Sequence, residues 1–166
     1  MKNLNSLKKL IKLLFFIFFG SLFVYLIKGL FAFMENDLSY LGECETNSTL
    51  SIIFLLFFIK VISKTVFFIG GFYLIKILDF NNLKEVFSTK KILLFKKSGK
   101  LFLLSSLIGS LTIGFEVLVN GIGNLKSNTD FLYSLYFSAI IGLFLIIFSK
   151  VLFETRELKQ ENDLTI

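Results

Sequence analysis

Four long apolar stretches divide this chain, with short polar segments between them. They run roughly from Leu10 to Met34, Leu50 to Leu78, Leu101 to Asn120 and Phe131 to Phe153. A helix needs about 20 mostly apolar residues to cross a bilayer core, and each stretch is long enough. The pattern predicts an all-α integral membrane four-helix bundle. It is read as a single membrane domain over residues 1–166 with short loops and a short helical cytoplasmic tail over 154–166. The second stretch exceeds what a bilayer needs, reaching about 43 Å at 1.5 Å per residue, so it is expected to tilt or to project beyond the outer headgroups.

Charge orients the stretches. Lys2, Lys8, Lys9 and Lys12 precede the first, and Lys84, Lys90, Lys91, Lys96, Lys97 and Lys100 lie between the second and third. The first connecting segment holds Glu35, Asp37, Glu43 and Glu45 with no Lys or Arg, and the third holds Lys126 and Asp130. Lysine and arginine are retained on the cytoplasmic side, which puts both termini and the middle loop inside. These juxtamembrane lysines suit anionic lipid headgroups. Membrane lipids are therefore the expected partners, and no direct nucleic-acid binding is expected despite a net charge of +6. The first stretch resembles a signal peptide in having a lysine-rich start and an apolar run. It is long, and Lys28 to Phe33 offers no small-x-small cleavage pattern, so it reads as an uncleaved anchor.

Composition removes several chemistries. The chain is 55% hydrophobic and only 18% charged, which leaves few residues for a separate soluble domain. There is no histidine, hence no usual general base and no commonest metal ligand. Cys44 is the only cysteine and falls in the acidic outer loop, so no intramolecular disulfide can form. Phe, Ile, Lys and Asn abound, as in the product of an AT-rich genome, and the phenylalanines carry no functional signal. Tryptophan is absent, so interfacial anchoring falls to Tyr25, Tyr40, Tyr73, Tyr133 and Tyr136.

Proline is absent too, which removes the commonest cause of sharp kinks. Gly70-Gly71 is the one glycine interruption that could break a span in the manner of a transporter, and it reads equally as close helix packing. Between the second and third stretches, Ser88 is a candidate N-cap. Ile92 and Phe95 fall on one side of the following segment, with Lys90, Lys97 and Lys100 opposite. This predicts a short interfacial helix running into the third span. Spans three and four carry small residues at every fourth position: Ser106, Ser110 and Gly114 on one, Ser134, Ser138 and Gly142 on the other. Small residues let membrane helices approach closely, so the two spans should form an antiparallel hairpin. Homo-oligomerisation through one stripe is the rival reading.

Lys28, Lys60, Lys64 and Glu116 are ionisable groups within apolar runs. A centred charge costs roughly 2.5–3.5 kcal/mol on insertion scales, which makes such residues functional candidates. All four are read as lying towards the outer ends of their spans, where lysines snorkel. Glu116 has the sign to pair with any of the three lysines. Catalysis is not expected: no Ser–His or Cys–His constellation can exist, no Gly-rich phosphate loop is present, and no cofactor or metal site is indicated.

After the last span the chain ends Glu-Asn-Asp-Leu-Thr-Ile, preceded by Phe153, Glu154 and Leu158. The helix is expected to continue to about Gln160. Leu158, Glu161, Asn162, Asp163, Leu164, Thr165 and Ile166 combine apolar and acidic groups with a terminal carboxylate, a form that partner backbone can capture. This ending closely resembles that of a bacterial family of four-span membrane proteins, the domain of unknown function 2975 family. The run from Leu78 through Asn81-Asn82 to Val86-Phe87-Ser88 and the lysines resembles its middle loop, with Val86 where the family usually has proline. The resemblance implies a four-span fold in the bacterial inner membrane and no established activity. It also implies a cytoplasmic helix-turn-helix regulator as partner, because family members are often encoded beside one. The resulting expectation is a regulatory or sensory membrane protein acting through its loop and tail. The alternatives are a small transporter or channel component using the intramembrane charges, and an immunity-type membrane protein.

Overall fold

In a computed structural model of the chain, residues 2–35, 50–78, 88–120 and 129–164 are described, and all of them except Ser88 lie in four α-helices. The helices are α1 (Lys2–Glu35), α2 (Leu50–Leu78), α3 (Thr89–Asn120) and α4 (Thr129–Leu164). Each is long and apolar enough to cross a membrane. The fold is the expected all-α four-helix bundle of a multi-pass membrane protein. Its outer surface carries Phe16, Phe23, Leu107, Leu111, Phe144 and Ile147 in exposed positions. In water such a surface would be an association site, whereas in lipid it is the natural boundary.

Consecutive helices are antiparallel neighbours. On one side of α2, Phe15 of α1 reaches Gly71 and Phe57 reaches Gly29. On the other side, α2 and α3 pack along their length, as do α3 and α4. α3 is the most buried of the four spans. α1 is attached more lightly and buries only Gly29 and Ala32 among its described side chains. The antiparallel order gathers Lys8, Lys9 and Lys12 of α1, Lys76 of α2, Lys90 to Lys100 of α3 and Lys150 of α4 at one end, here called the basic end.

Three element boundaries differ from the sequence reading. α1 begins at Lys2, ahead of its apolar stretch, and α4 continues past its own, as expected, but to Leu164 rather than to about Gln160. The segment after Ser88 is no separate interfacial helix but the opening turns of α3, continuous to Asn120. Ser88 caps it: its backbone carbonyl accepts from the Lys91 and Ile92 amides at 3.0 and 3.1 Å, and its Oγ accepts from the Lys91 amide at 3.4 Å. With Ile92 buried and Lys90, Lys97 and Lys100 exposed, the two-sided character is as read. Gly99 lies between that segment and the span without interrupting the helix, and the chain has no proline. Across the corner, Lys91 Nζ donates to the Lys76 carbonyl at 2.7 Å. That places a cation on the otherwise unpaired last carbonyls of α2.

Candidate functional site

The bundle interior is held by hydroxyls on backbone carbonyls. Ser63 Oγ of α2 donates to the Ser105 carbonyl of α3 at 2.8 Å, and Ser105 Oγ returns the bond to the Ser63 carbonyl at 2.9 Å. Seven residues further along both helices, Ser98 Oγ donates to the Gly70 carbonyl at 2.8 Å. On the other face of α3, Ser138 Oγ of α4 donates to the Phe102 carbonyl at 3.0 Å. Serines at these positions bring the backbones close and satisfy their own hydroxyls in a medium without water.

The tightest approach is between Gly99 and Gly142. A Cβ built on Gly99 would lie 2.7 Å from the Gly142 carbonyl oxygen, and one on Gly142 would lie 2.9 Å from that of Gly99. The α3–α4 hairpin is therefore a small-residue contact, but its residues differ from those read by fourfold spacing. Ser138 and Gly142 are in it. Gly114 faces open space, and exposed Ser110 and Ser134 bond carbonyls of their own helices. Ser106 is buried yet also bonds its own helix, at Leu103. The signal that finds the contacts is a seven-residue spacing: Ser98, Ser105 and Thr112 towards α2, with Gly99 and Ser106 beside them. Helices packed in the manner of a coiled coil repeat every seven residues rather than every four.

Of the four intramembrane charges, the structure joins two. Lys60 Nζ lies 2.5 Å from Glu116 Oε1, and the two side chains are only 9% and 8% exposed. The Phe131 ring of α4 stands over the ammonium, 6.0 Å from centroid to Nζ. This pair links α2 to α3 near the end opposite the basic one. Lys28 is set apart, exposed on α1.

Lys64 differs from the sequence reading. It stands fourteen residues from Leu50 and fourteen from Leu78, at the middle of α2 rather than towards its outer end. It is half-buried, and its Nζ lies 3.3 Å from the centroid of the Tyr25 ring of α1. Tyr25 in turn stacks on Phe57 at 5.1 Å. Among the described residues, no carboxylate lies within ion-pair distance of Lys64. Tyr25 was read only as an interfacial anchor. Its place opposite Lys64 depends on the rotation of α1 about its axis, which the sequence does not encode.

Lys64 also lines a lateral cavity of about 540 Å³ where α1 stands away from α3 and α4. Phe15 and Phe18 of α1, Phe67 and Phe68 of α2, and Phe102 and Phe137 from the far side make its walls mostly aromatic. Towards the basic end, the Phe67 and Phe102 rings meet edge to face at 4.8 Å. They stand between the Ser63–Ser105 and Ser98–Gly70 bonds.

The tail residues Leu158, Glu161 and Asn162 are exposed. Asp163 and Leu164 continue the helix, while Thr165 and Ile166 lie outside the described residues. Cys44 and Tyr40, the acidic segment from Asp37 to Glu45, Asn81-Asn82, Lys84, Val86-Phe87 and Lys126 lie outside them as well. Among the described residues, no group of His, Cys, Asp or Glu is placed to hold a metal. Comparison with protein-family models, with curated proteins and with solved structures gives no match.

Proposed function

We propose that this chain is a regulatory or sensory protein of the bacterial inner membrane, with both termini in the cytoplasm. It would pass the state of its membrane bundle to a soluble partner through its loop and tail. The observation that carries this reading is α4 itself. It runs without interruption from Thr129 in the bundle to Leu164, well past the last apolar residue of the span. A rigid helix transmits tilt and rotation, whereas a flexible linker would absorb them. Leu158, 62% exposed on that extension, is an apolar group that the described residues leave uncovered. The lysines at the start of α3 flank the same end and suit either anionic headgroups or an acidic partner surface.

The resemblance of the ending to the domain of unknown function 2975 family supports a helix-turn-helix regulator as the partner. Two features weigh against catalysis as the role: the lack of histidine and the closed state of Glu116, the buried carboxylate among the described residues, already paired with Lys60. The transporter reading rests on that same pair and is weakened by it, since a charge held in an ion pair is not poised to carry cargo.

The test is removal of Glu161 to Ile166. No bilayer-spanning residue is lost, so the truncated protein should insert and retain its thermal transition. Capture of a cytoplasmic partner from the native host should disappear. Retention of every partner by an inserted truncated protein would transfer the role to the basic loop.

A further inference from the structure

The lateral cavity is apolar along most of its wall but contains one cation. Its serines already donate their protons within the protein, so none is left to donate to an anion. Ser21 donates to the Phe18 carbonyl, Ser63 and Ser105 donate to each other's carbonyls, Ser134 donates to Phe131, and Ser138 donates to Phe102. Lys64 is what remains, with an aromatic face on one side and open cavity on another. A Tyr face offsets only part of a desolvated ammonium's cost. That leaves the charge short of an anion at the depth where an anion helps most.

We propose that this cavity binds one long-chain carboxylate, with its head on Lys64 and its tail along α2 towards the basic end. The tail direction follows from the wall. Beyond Lys64, α2 contributes Phe67, Phe68, Gly71, Leu74 and Ile75. From Ser63 to Ile75 the wall runs about 18 Å, roughly one leaflet's hydrocarbon depth. The volume lies in the range of sites for small organic ligands. Depth selects the head. Lys64 is about 21 Å from either end of its helix, so a phosphodiester, permanently charged, would have to enter the hydrocarbon core as an ion. A carboxylic acid reaches that depth as the neutral acid and ionises only against the ammonium, and the proton it took from water on entry returns to water through the lateral opening. Entry is lateral, between α1 and α4, where the lightly attached α1 leaves the gap. The site does not depend on the tail having a partner.

The experiment measures binding of radiolabelled palmitate to the full-length protein purified in detergent. Unlabelled palmitate, its methyl ester and a hexadecyl trimethylammonium serve as competitors. Saturable binding is expected, displaced by palmitate and by neither of the others. Lys64→Met should weaken it about tenfold, the worth of one hydrogen bond to a charged group. Lys64→Arg should retain it, and Lys28→Met should leave it unchanged. Ser134→Phe, which keeps Lys64 and fills the cavity from α4, should abolish binding without moving the thermal transition. It covers the case in which Lys64→Met fails to fold. The proposal is overturned if saturable binding is absent, if the methyl ester competes as well as the acid, or if Ser134→Phe binds like the parent protein.

Discussion

Two lysines one helical turn apart have opposite energetic characters. Lys60 has a carboxylate at contact distance in a nearly dry setting, so removing either partner takes a contacting counter-charge from a buried ion. Breaking such a buried pair costs about 3–5 kcal/mol, while replacing both members with apolar residues is often neutral. Glu116→Gln and Lys60→Met should each destabilise by about 3 kcal/mol, and Lys60→Met with Glu116→Leu should recover most of that loss. Unfolding in mixed micelles of a mild detergent and dodecyl sulfate measures it. Lys64 has an aromatic face and no described carboxylate, so Lys64→Met should leave stability unchanged or raise it in the same assay. Destabilisation by Lys64→Met as large as that by Lys60→Met would show a further anionic partner for Lys64. The sequence made all four charges visible as exceptions in apolar runs. Which lysine meets Glu116 was not visible, because it depends on the relative rotation of α2 and α3.

At the scale of the helix pair, the positions that matter are those where a methylene would meet backbone. Gly142 faces the Gly99 carbonyl and Gly114 faces nothing. Gly142→Leu should cost about 1–3 kcal/mol, the usual range for overpacking, or prevent folding. Gly114→Leu should stay within about 0.5 kcal/mol, as for a surface change. Comparable thermal transitions for the two variants would mean that α3 and α4 do not meet through Gly99 and Gly142. The existence of four helices was legible because length and apolarity alone specify it, and the α2 bounds agree to the residue. The interface was half legible. Ser138 and Gly142 stood out at fourfold spacing, but that spacing drifts around a helix. Over about two turns it carries the reading on α3 from the packed face to Gly114 on the open one. The buried serines at 98 and 105 were passed over because a sevenfold repeat leaves six intervening residues, mostly apolar, to hide it.

At the scale of the whole molecule, the sorting of charge and the packing agree. The antiparallel order that brings Phe15 to Gly71 and Phe57 to Gly29 also brings the lysine clusters of the first and third helices to one end, as retention of basic residues on one side requires. If that end is cytoplasmic, Cys44 in the segment joining α1 and α2 faces outward. An impermeant thiol reagent should then label it in intact cells, and a requirement for permeabilisation would invert the topology. The same arrangement bears on the transport reading. A conducting path would have to run from the Lys60–Glu116 pair past Lys64 to the basic end. On that line Phe67 and Phe102 close edge to face, and the hydroxyls on either side are already spent on backbone carbonyls. An ion leaving the outer charges would meet about two helical turns of mostly apolar wall, and a bare charge in such a medium costs far more than thermal energy. Purified protein in liposomes should therefore leave proton and cation fluxes at background, under an imposed potential as well as without one. The informative variant is Phe102→Ala, which opens the aromatic contact without touching a charge. A flux present in the parent protein, raised by Phe102→Ala and abolished by Glu116→Gln, would make the ion pair a gate and the chain a transporter.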